Sequence, residues 1–130
     1  MLVLDANILI RAVLGARVPL LLQKYAEHVE FLAPDTVFHE ARERLPEILE
    51  RRRVPVAPAM AALTLVAKLV QTVECETYGP FEDLARQRIA RRDEDDWPIV
   101  AAALALDCPI LDRRHGLFRL RCGDLDDGPR

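Results

Sequence analysis

The sequence predicts an α/β fold in which helices pack on a mostly parallel sheet, and two observations support this prediction. Short, continuously apolar segments recur along the chain, as expected for strands that are buried on both faces of a sheet. Segments with apolar residues at helical spacing separate them, and strands that alternate with helices are typical of parallel sheets. At 130 residues the chain fits one domain that can bury a core without disulfides.

The opening of the chain predicts one strand and two helices. Residues 1–4 are wholly apolar, and the charge of Asp5 ends this run. Residues 7–14 are predicted to form a helix that stops at Gly15, because glycine is common just beyond a helix end. Residues 18–28 carry apolar side chains three and four positions apart, which predicts a second helix.

The next segment predicts a strand followed by a longer helix. Residues 29–33 are short and apolar, and Pro34 and Asp35 then favour a helix start, where proline and acidic side chains are both common. Pro46 is expected to kink or break this helix, since an interior proline loses a backbone hydrogen bond and clashes with the preceding turn. Residues 46–53 would then form a further turn or two.

The second half of the chain continues the alternation of helices and strands. Helices are predicted at 59–70, 81–91 and 97–106, and strands at 72–76, 109–111 and 117–120. In open parallel sheets, ligands bind outside the carboxyl ends of the strands. Functional side chains are therefore expected where these strands end.

Composition excludes several classes of protein. No serine occurs in the chain, which excludes a serine triad, and the five glycines are too scattered for a phosphate-binding loop. No apolar run approaches the ~20 residues of a membrane span, and the chain opens without a basic signal-peptide region. The three cysteines lack paired metal spacing, which predicts reduced thiols in a cytoplasmic protein.

The net charge of −3 hides local clusters of arginine. Basic side chains around an acidic centre would suit a nucleic-acid backbone. For any single cluster, a solvated helix surface is the simpler interpretation. The clusters are Arg51-Arg52-Arg53, Arg86-Gln87-Arg88, Arg91-Arg92 and Arg113-Arg114.

Carboxylates at the ends of strands and the starts of helices are the main functional signal. An unpaired buried anion is costly, and several that converge are usually neutralised by a hard cation such as Mg²⁺ or Mn²⁺. This pattern favours a metal-dependent phosphodiesterase. The carboxylates that form it are Asp5, Glu40, Asp93, Asp95, Asp96 and Asp112.

Each of these side chains also has a structural interpretation. Asp5 and Asn7 could cap the first predicted helix, and one carboxylate before Trp97 is needed as a cap for the helix that follows. Glu40 could be a solvated helical side chain, although it borders the apolar stripe of its helix. The three aspartates at positions 93, 95 and 96 exceed what capping requires, and their repulsion favours a nearby cation.

The ordered set of motifs resembles the PIN-domain nucleases, which include the VapC-type toxins of toxin–antitoxin pairs. The resemblance covers residues 1–118 and implies a three-layer α/β/α sandwich that cleaves RNA with Mg²⁺ or Mn²⁺. The motifs that carry it are Leu2-Val3-Leu4-Asp5-Ala6-Asn7, the helix with Glu40, Arg92-Asp93-Glu94-Asp95-Asp96-Trp97-Pro98, and Cys108-Pro109-Ile110-Leu111-Asp112.

The resemblance also implies roles for individual residues. Asp5, Glu40, Asp93 and Asp96 would be catalytic metal ligands, with Asp95 facing the solvent. Asp112 would contribute from the end of the last parallel strand.

Asn7 would orient Asp5 or a metal-bound water. Arg113, Arg114 or His115 would hold a phosphate, although a basic surface turn explains these three equally well. The family commonly places Thr or Ser at the strand end and Asp two residues later, whereas this chain has Asp112 and Arg114 there.

The sequence also predicts the domain organisation and the partners of the protein. Residues 1–122 are expected to form the PIN-like domain, and residues 123–130 a flexible tail. The resemblance implies an RNA substrate, an antitoxin partner if the chain is a toxin, and a homodimer, for which helices 18–25 and 59–70 offer apolar faces. The alternative is a catalytically impaired module of the same fold that binds RNA or a protein partner without cleavage.

Overall fold

The computed structural model describes residues 1–15, 17–25, 27–89, 94–112 and 116–119, with five strands and seven α-helices among them. The strands are β1 (Leu2–Leu4), β2 (Phe31–Pro34), β3 (Val70–Val73), β4 (Pro109–Asp112) and β5 (Gly116–Arg119). The helices are α1 (Ala6–Leu14), α2 (Arg17–Tyr25), α3 (Asp35–Arg52), α4 (Val56–Ala67), α5 (Cys75–Tyr78), α6 (Glu82–Arg88) and α7 (Trp97–Leu106).

The strands form one sheet in the order β3-β2-β1-β4-β5. The first four run parallel to their neighbours, and β5 pairs with β4 in the antiparallel sense. This confirms the predicted α/β class and the mostly parallel sheet. Because β2 and β4 flank β1, the chain changes direction across the sheet between β1 and β4, which is the place where open α/β sheets bind ligands.

Helices lie in two groups, which with the sheet make the three-layer sandwich. Helices α1, α3 and α4 pack against one another, and α2 packs on α1. Helix α7 packs on β1, β2 and β4, and α5 and α6 pack on α7. Residues Pro98 to Ala103 of α7 are all buried, and the run of alanines allows a close approach between this helix and the sheet.

Several predicted boundaries are wrong, and α4 runs from Val56 to Ala67 rather than over residues 59–70. Pro46 does not end its helix, because α3 continues to Arg52. Buried Leu45 and Leu49 on either side of the proline join the same core, and this packing outweighs the one backbone hydrogen bond that proline cannot make. The third strand begins at Val70 rather than at residue 72, and the predicted strand end at 75–76 is instead the start of α5.

Gly15 ends α1 as predicted, but it does so without a left-handed conformation. Its φ is −112° and its ψ is 168°, and its N–H donates to the carbonyl oxygen of Arg11. Among the described residues, no helix has the length and apolar character needed to cross a membrane. The predicted tail at 123–130 lies outside the described residues.

Candidate active site at the carboxyl ends of β1 and β4

Two predicted site residues occupy neighbouring positions at the point where the strand order changes direction. The parallel register pairs Leu4 with Leu111, so Asp5 and Asp112 follow directly at the carboxyl ends of adjacent strands. Only the backbone of Asp112 is described, as the last residue of β4. The sheet therefore brings together, at the level of the backbone, two carboxylate positions that are 107 residues apart in the sequence.

Asp5 is the one charged side chain in the buried class among the described residues, with 9% of its surface exposed. Its Oδ1 accepts a hydrogen bond of 2.9 Å from the backbone N–H of Ile8, so it caps α1. The predicted capping role is therefore observed. A carboxylate has lone pairs beyond those used by one N–H group, so capping and metal binding are compatible at Asp5.

A second group of predicted residues faces a cleft between the start of α3 and the start of α7. The cleft has a volume of about 220 Å³. Glu40 and Thr36 line it from α3, and Asp95 and Asp96 line it from the turn before α7. Glu40 and Asp96, distant in sequence, thus line one cavity.

Asp96 behaves differently from a simple helix cap. It occupies the N-cap position of α7, yet its side chain makes no hydrogen bond that caps the helix. It is half-buried, whereas Asp95 is exposed. Asp95 thus faces the solvent, although it also lines the cleft. The role of Asp96 as a metal ligand stays a prediction.

Aromatic packing fixes the two sides of the cleft relative to each other. The buried Tyr78 donates its hydroxyl to Oδ1 of Asp35, at 2.6 Å, and Asp35 is the first residue of α3. The Tyr78 ring lies 5.6 Å from the ring of Trp97, the first residue of α7. The guanidinium of Arg86 in turn lies 5.3 Å from the centroid of the Trp97 ring.

The environment of Tyr78 keeps its phenol neutral. Burial raises the pKa of Tyr78, and the hydrogen bond to Asp35 and the negative charge of that carboxylate raise this pKa further. A neutral phenol can go on donating its hydrogen bond over the whole physiological pH range. Ionisation of Tyr78 therefore does not break the contact between α5 and the start of α3 at physiological pH.

Arg44 links two predicted site residues and was not predicted itself. Its Nη1 donates to Oδ1 of Asn7 at 3.2 Å and lies 4.0 Å from Oε2 of Glu40. The spacing of Glu40 and Arg44, four residues apart on one helix, could have indicated their ion pair. The contact with Asn7 could not be read from spacing, because it depends on how α1 and α3 pack. Asn7 thus binds Arg44 instead of standing apart as a helix cap.

Glu43, the neighbouring acidic residue of α3, pairs with His39. The two side chains are 3.0 Å apart, and both are mostly exposed. Glu40 is more covered than Glu43, with 48% of its side chain exposed against 67%. Both line the cleft, but the greater burial and the link to Asn7 favour Glu40 as the ligand candidate, as predicted.

Several predicted site residues fall outside what the structure describes. Asp93, Arg113, Arg114 and His115 lie in undescribed segments, and the side chain of Asp112 is also undescribed. Within the described part of the chain, no three side chains of His, Cys, Asp or Glu converge closely enough to hold a metal ion. The carboxylates present offer the hard oxygen donors that Mg²⁺ and Mn²⁺ prefer.

A comparison with protein families shows which family the chain belongs to. A family model described as PIN domain matches residues 3–114, which is most of the chain. The chain belongs to the PIN-domain family. PIN domains are a nuclease fold and are in general metal-dependent. The match includes the predicted site residues from Asp5 to Arg114, and it confirms the resemblance seen in the sequence motifs.

Searches of curated proteins and of solved structures found no match to this PIN domain.

Proposed function

We propose that this PIN domain is a metal-dependent ribonuclease that hydrolyses phosphodiester bonds of RNA. The observation that carries the proposal is the buried carboxylate of Asp5 at the carboxyl end of β1, directly beside the end of β4. Asp5 caps α1 through one hydrogen bond and keeps further lone pairs that a divalent cation could use. Ligands of open parallel sheets bind at this point, outside the carboxyl ends of the strands.

Five carboxylates are proposed as metal ligands, because the three described ones do not form a metal site by themselves. They are Asp5, Glu40 and Asp96, together with Asp93 and Asp112. A bound divalent ion would supply a Lewis acid for a phosphoryl oxygen and lower the pKa of a bound water. Oxygen ligands suit this task because Mg²⁺ binds one or two carboxylates and retains several waters.

The remaining residues are proposed to orient the site and balance its charge. Asn7 is held by Arg44, which also lies beside Glu40, so this arginine connects the first turn of α1 with the cleft. A guanidinium here can stabilise the negative charge that develops on a phosphate during hydrolysis. Arg113 and Arg114 are the other proposed phosphate-binding residues.

We also propose that this PIN domain forms a homodimer. Large apolar side chains are exposed on the two helices that the sequence suggests for a homodimer, namely Leu20 on α2 at 65% and Leu65 on α4 at 63%. Apolar side chains of this size favour burial against another surface. An antitoxin remains a prediction from the resemblance to VapC-type proteins.

The experiment is a titration of Mg²⁺ and Mn²⁺ into wild type and Asp5→Asn, with thermal stability and cleavage of labelled single-stranded RNA measured together. Asn is a good helix N-cap, so Asp5→Asn is expected to keep α1 capped while it removes the charged ligand. In wild type, an ion at a hundred times its Kd raises the free energy of unfolding by about 2.7 kcal/mol. We expect this increase and the cleavage to be lost in Asp5→Asn.

Asp83→Asn is the matched control, because it removes one exposed carboxylate from α6, away from the cleft. It is expected to retain both metal stabilisation and cleavage. RNA binding without cleavage, and without any stabilisation by millimolar metal, would instead support the alternative of a PIN-like module that binds but does not cut. Equal cleavage by wild type and Asp5→Asn would contradict the proposed site.

A further inference from the structure

A basic groove runs between α1 and α3. Asp5, Glu40 and Asp96, the described residues proposed as metal ligands, do not line it. Its volume is about 550 Å³, within the ~300–1,000 Å³ typical of ligand sites. Four arginines line it: Arg11 from α1, and Arg44, Arg51 and Arg52 from α3. Among the described residues that line the groove, none is acidic. Four guanidinium groups therefore face one groove of a chain whose net charge is −3.

The arginines of the groove are available for an anion. Arg51 donates only a long hydrogen bond, 3.5 Å, to the carbonyl oxygen of Glu47. Within the described part of the chain, no ion pair joins Arg11, Arg51 or Arg52 to a carboxylate. Like charges that converge without counter-charges repel one another, so an anionic ligand would relieve this repulsion. Arginine also matches the bidentate geometry of phosphate.

The floor of the groove is apolar, which narrows the choice of anion. Ile10 is buried, and Leu14 and Ile48 are half-buried, and these three aliphatic side chains lie between the arginines. A ligand with anionic groups along one edge and flat apolar faces on the other would satisfy both surfaces. Single-stranded nucleic acid has this character, because phosphates alternate with bases along the strand.

The groove and the cleft adjoin on α3, where Arg44 of the groove lies 4.0 Å from Glu40 of the cleft. Asn7, two residues after Asp5, lines the groove, and Arg44, one helical turn after Glu40, lines it as well. From residue 40 to residue 52, α3 extends for roughly 18 Å at 1.5 Å per residue. A strand that entered the cleft could therefore continue along the arginines for more than one nucleotide.

We propose that this α1–α3 groove binds the phosphates of the RNA strand next to the bond that is cut. The inference rests on the proposed function for the position of the cut, while the binding itself does not require cleavage. Arg11, Arg51 and Arg52 contact phosphates, and Arg44 connects this groove to the carboxylates. The groove increases the affinity for longer RNA strands, whereas the carboxylates bind the metal ion for hydrolysis of the phosphodiester bond.

Binding is tested in EDTA, so that cleavage cannot occur, by fluorescence anisotropy of a labelled oligouridylate over a series of NaCl concentrations. The test variant is Arg11→Gln/Arg51→Gln/Arg52→Gln. For a single strand, each arginine that no longer neutralises a phosphate reduces the slope of log K against log[salt] by about 0.7, which is about fivefold in affinity at 0.1 M salt. The triple variant is expected to lower the slope by about two and the affinity by about a hundredfold.

The matched control removes three positive charges that lie outside the groove. Lys24→Gln/Arg42→Gln/Lys68→Gln changes exposed side chains of α2, α3 and the end of α4, and Arg42 lies on the opposite face of α3 from Arg44. It is expected to change the salt slope by much less than the groove variant. Equal losses of affinity in the two variants would overturn the proposal, because the effect would then come from net charge alone.

Two further results separate this proposal from its competitors. Arg11, Arg51 and Arg52 lie in the last turns of α1 and α3, where a positive charge also stabilises the helix. Thermal unfolding of both triple variants is therefore measured. A loss of RNA binding supports the proposal only if the variant is folded. Polyglutamate of matched charge is the competitor in the binding assay. Displacement of RNA at equal charge concentration would overturn the proposal in favour of an acidic peptide partner.

The outcomes for the groove and for the active site are independent. Loss of metal-dependent cleavage in Asp5→Asn, together with loss of RNA affinity in the groove variant but not in its control, supports both proposals. Groove-dependent RNA binding by a protein that never cleaves supports the groove and contradicts the proposed ribonuclease. Metal-dependent cleavage, with an RNA affinity that does not change in the groove variant, supports the ribonuclease and contradicts the proposed role of the groove.

Discussion

A buried carboxylate needs a partner, and Asp5 has one in the N–H of Ile8, at 2.9 Å. The sequence could predict both roles of Asp5, because a strand end followed by a helix needs a cap and a ligand site lies at the same place. It could not predict that Arg44 holds Asn7, since that contact joins residues 37 positions apart on two helices. Contacts between elements depend on packing geometry that local spacing does not encode.

Tyr78 is another residue whose role appears only in the folded protein. Its hydroxyl reaches Asp35 across 43 positions of sequence, at 2.6 Å. Hydrogen bonds to a charged group stabilise proteins by about 1.5–3 kcal/mol. We therefore expect Tyr78→Phe, which retains the ring contact with Trp97, to lower the free energy of unfolding near neutral pH by about 1.5 kcal/mol. Chemical denaturation measures this change.

The pH dependence of this difference identifies its cause. The pKa of Tyr78 is raised in the folded protein above its ordinary value of 10.0. A raised pKa means that the stabilisation is complete below pH 10 and is lost as the pH rises above it. The difference between wild type and Tyr78→Phe should therefore shrink above pH 10. The exposed Tyr25, changed to Phe, is the control, and a difference that stays constant above pH 10 would contradict the assignment.

Helix α3 shows how an element can differ from its sequence signals. Pro46 predicts a break, yet the helix is continuous from Asp35 to Arg52, because Val37, Ala41, Leu45 and Leu49 all face the same core. The elements with a single strong signal were predicted well, such as α7, whose bounds agree with the prediction. Boundaries failed where a local signal competed with packing, as at Pro46 and at the junction of β3 and α5.

Continuity through Pro46 has a measurable cost. An interior proline is about 3 kcal/mol less favourable in a helix than alanine. Proline also restricts the unfolded chain, and this lower entropy of the unfolded state offsets part of the cost. We expect Pro46→Ala to raise the free energy of unfolding by about 1–2 kcal/mol, measured by urea denaturation. The exposed neighbour Glu47→Ala is expected to change it by less than about 0.5 kcal/mol. Destabilisation by Pro46→Ala would show that the proline ring itself packs in the α1–α3 interface.

The whole molecule places its functional groups through topology more than through any motif. Alternation of strands and helices predicts the sheet, but the order β3-β2-β1-β4-β5 decides which strand ends are neighbours. That order puts Asp5 beside Asp112 and leaves the ends of β2 and β3 on one side of them. The sequence shows which residues are acidic, whereas the topology shows which of them can share an ion.

The neighbouring positions of Asp5 and Asp112 lead to a prediction about coupling. If both carboxylates bind the same ion, removal of either one already disrupts the site, so the two losses are not additive. We expect Asp5→Asn and Asp112→Asn each to weaken Mn²⁺ binding, measured as metal-dependent thermal stabilisation. The double variant is then expected to lose less than the sum of the two single losses, by about 1 kcal/mol or more.

The reference cycle pairs Asp5→Asn with Asp83→Asn on α6, an exposed carboxylate away from the strand ends. Distant sites usually add within about 0.3–0.5 kcal/mol, so this pair is expected to show no coupling. Additive losses for Asp5 and Asp112 would mean that the two strand ends do not share an ion. If Asp112→Asn instead leaves the Mn²⁺ stabilisation unchanged, Asp112 is not a metal ligand, and the replacement of the family's usual residues by Asp112 and Arg114 would favour a binding module over a nuclease.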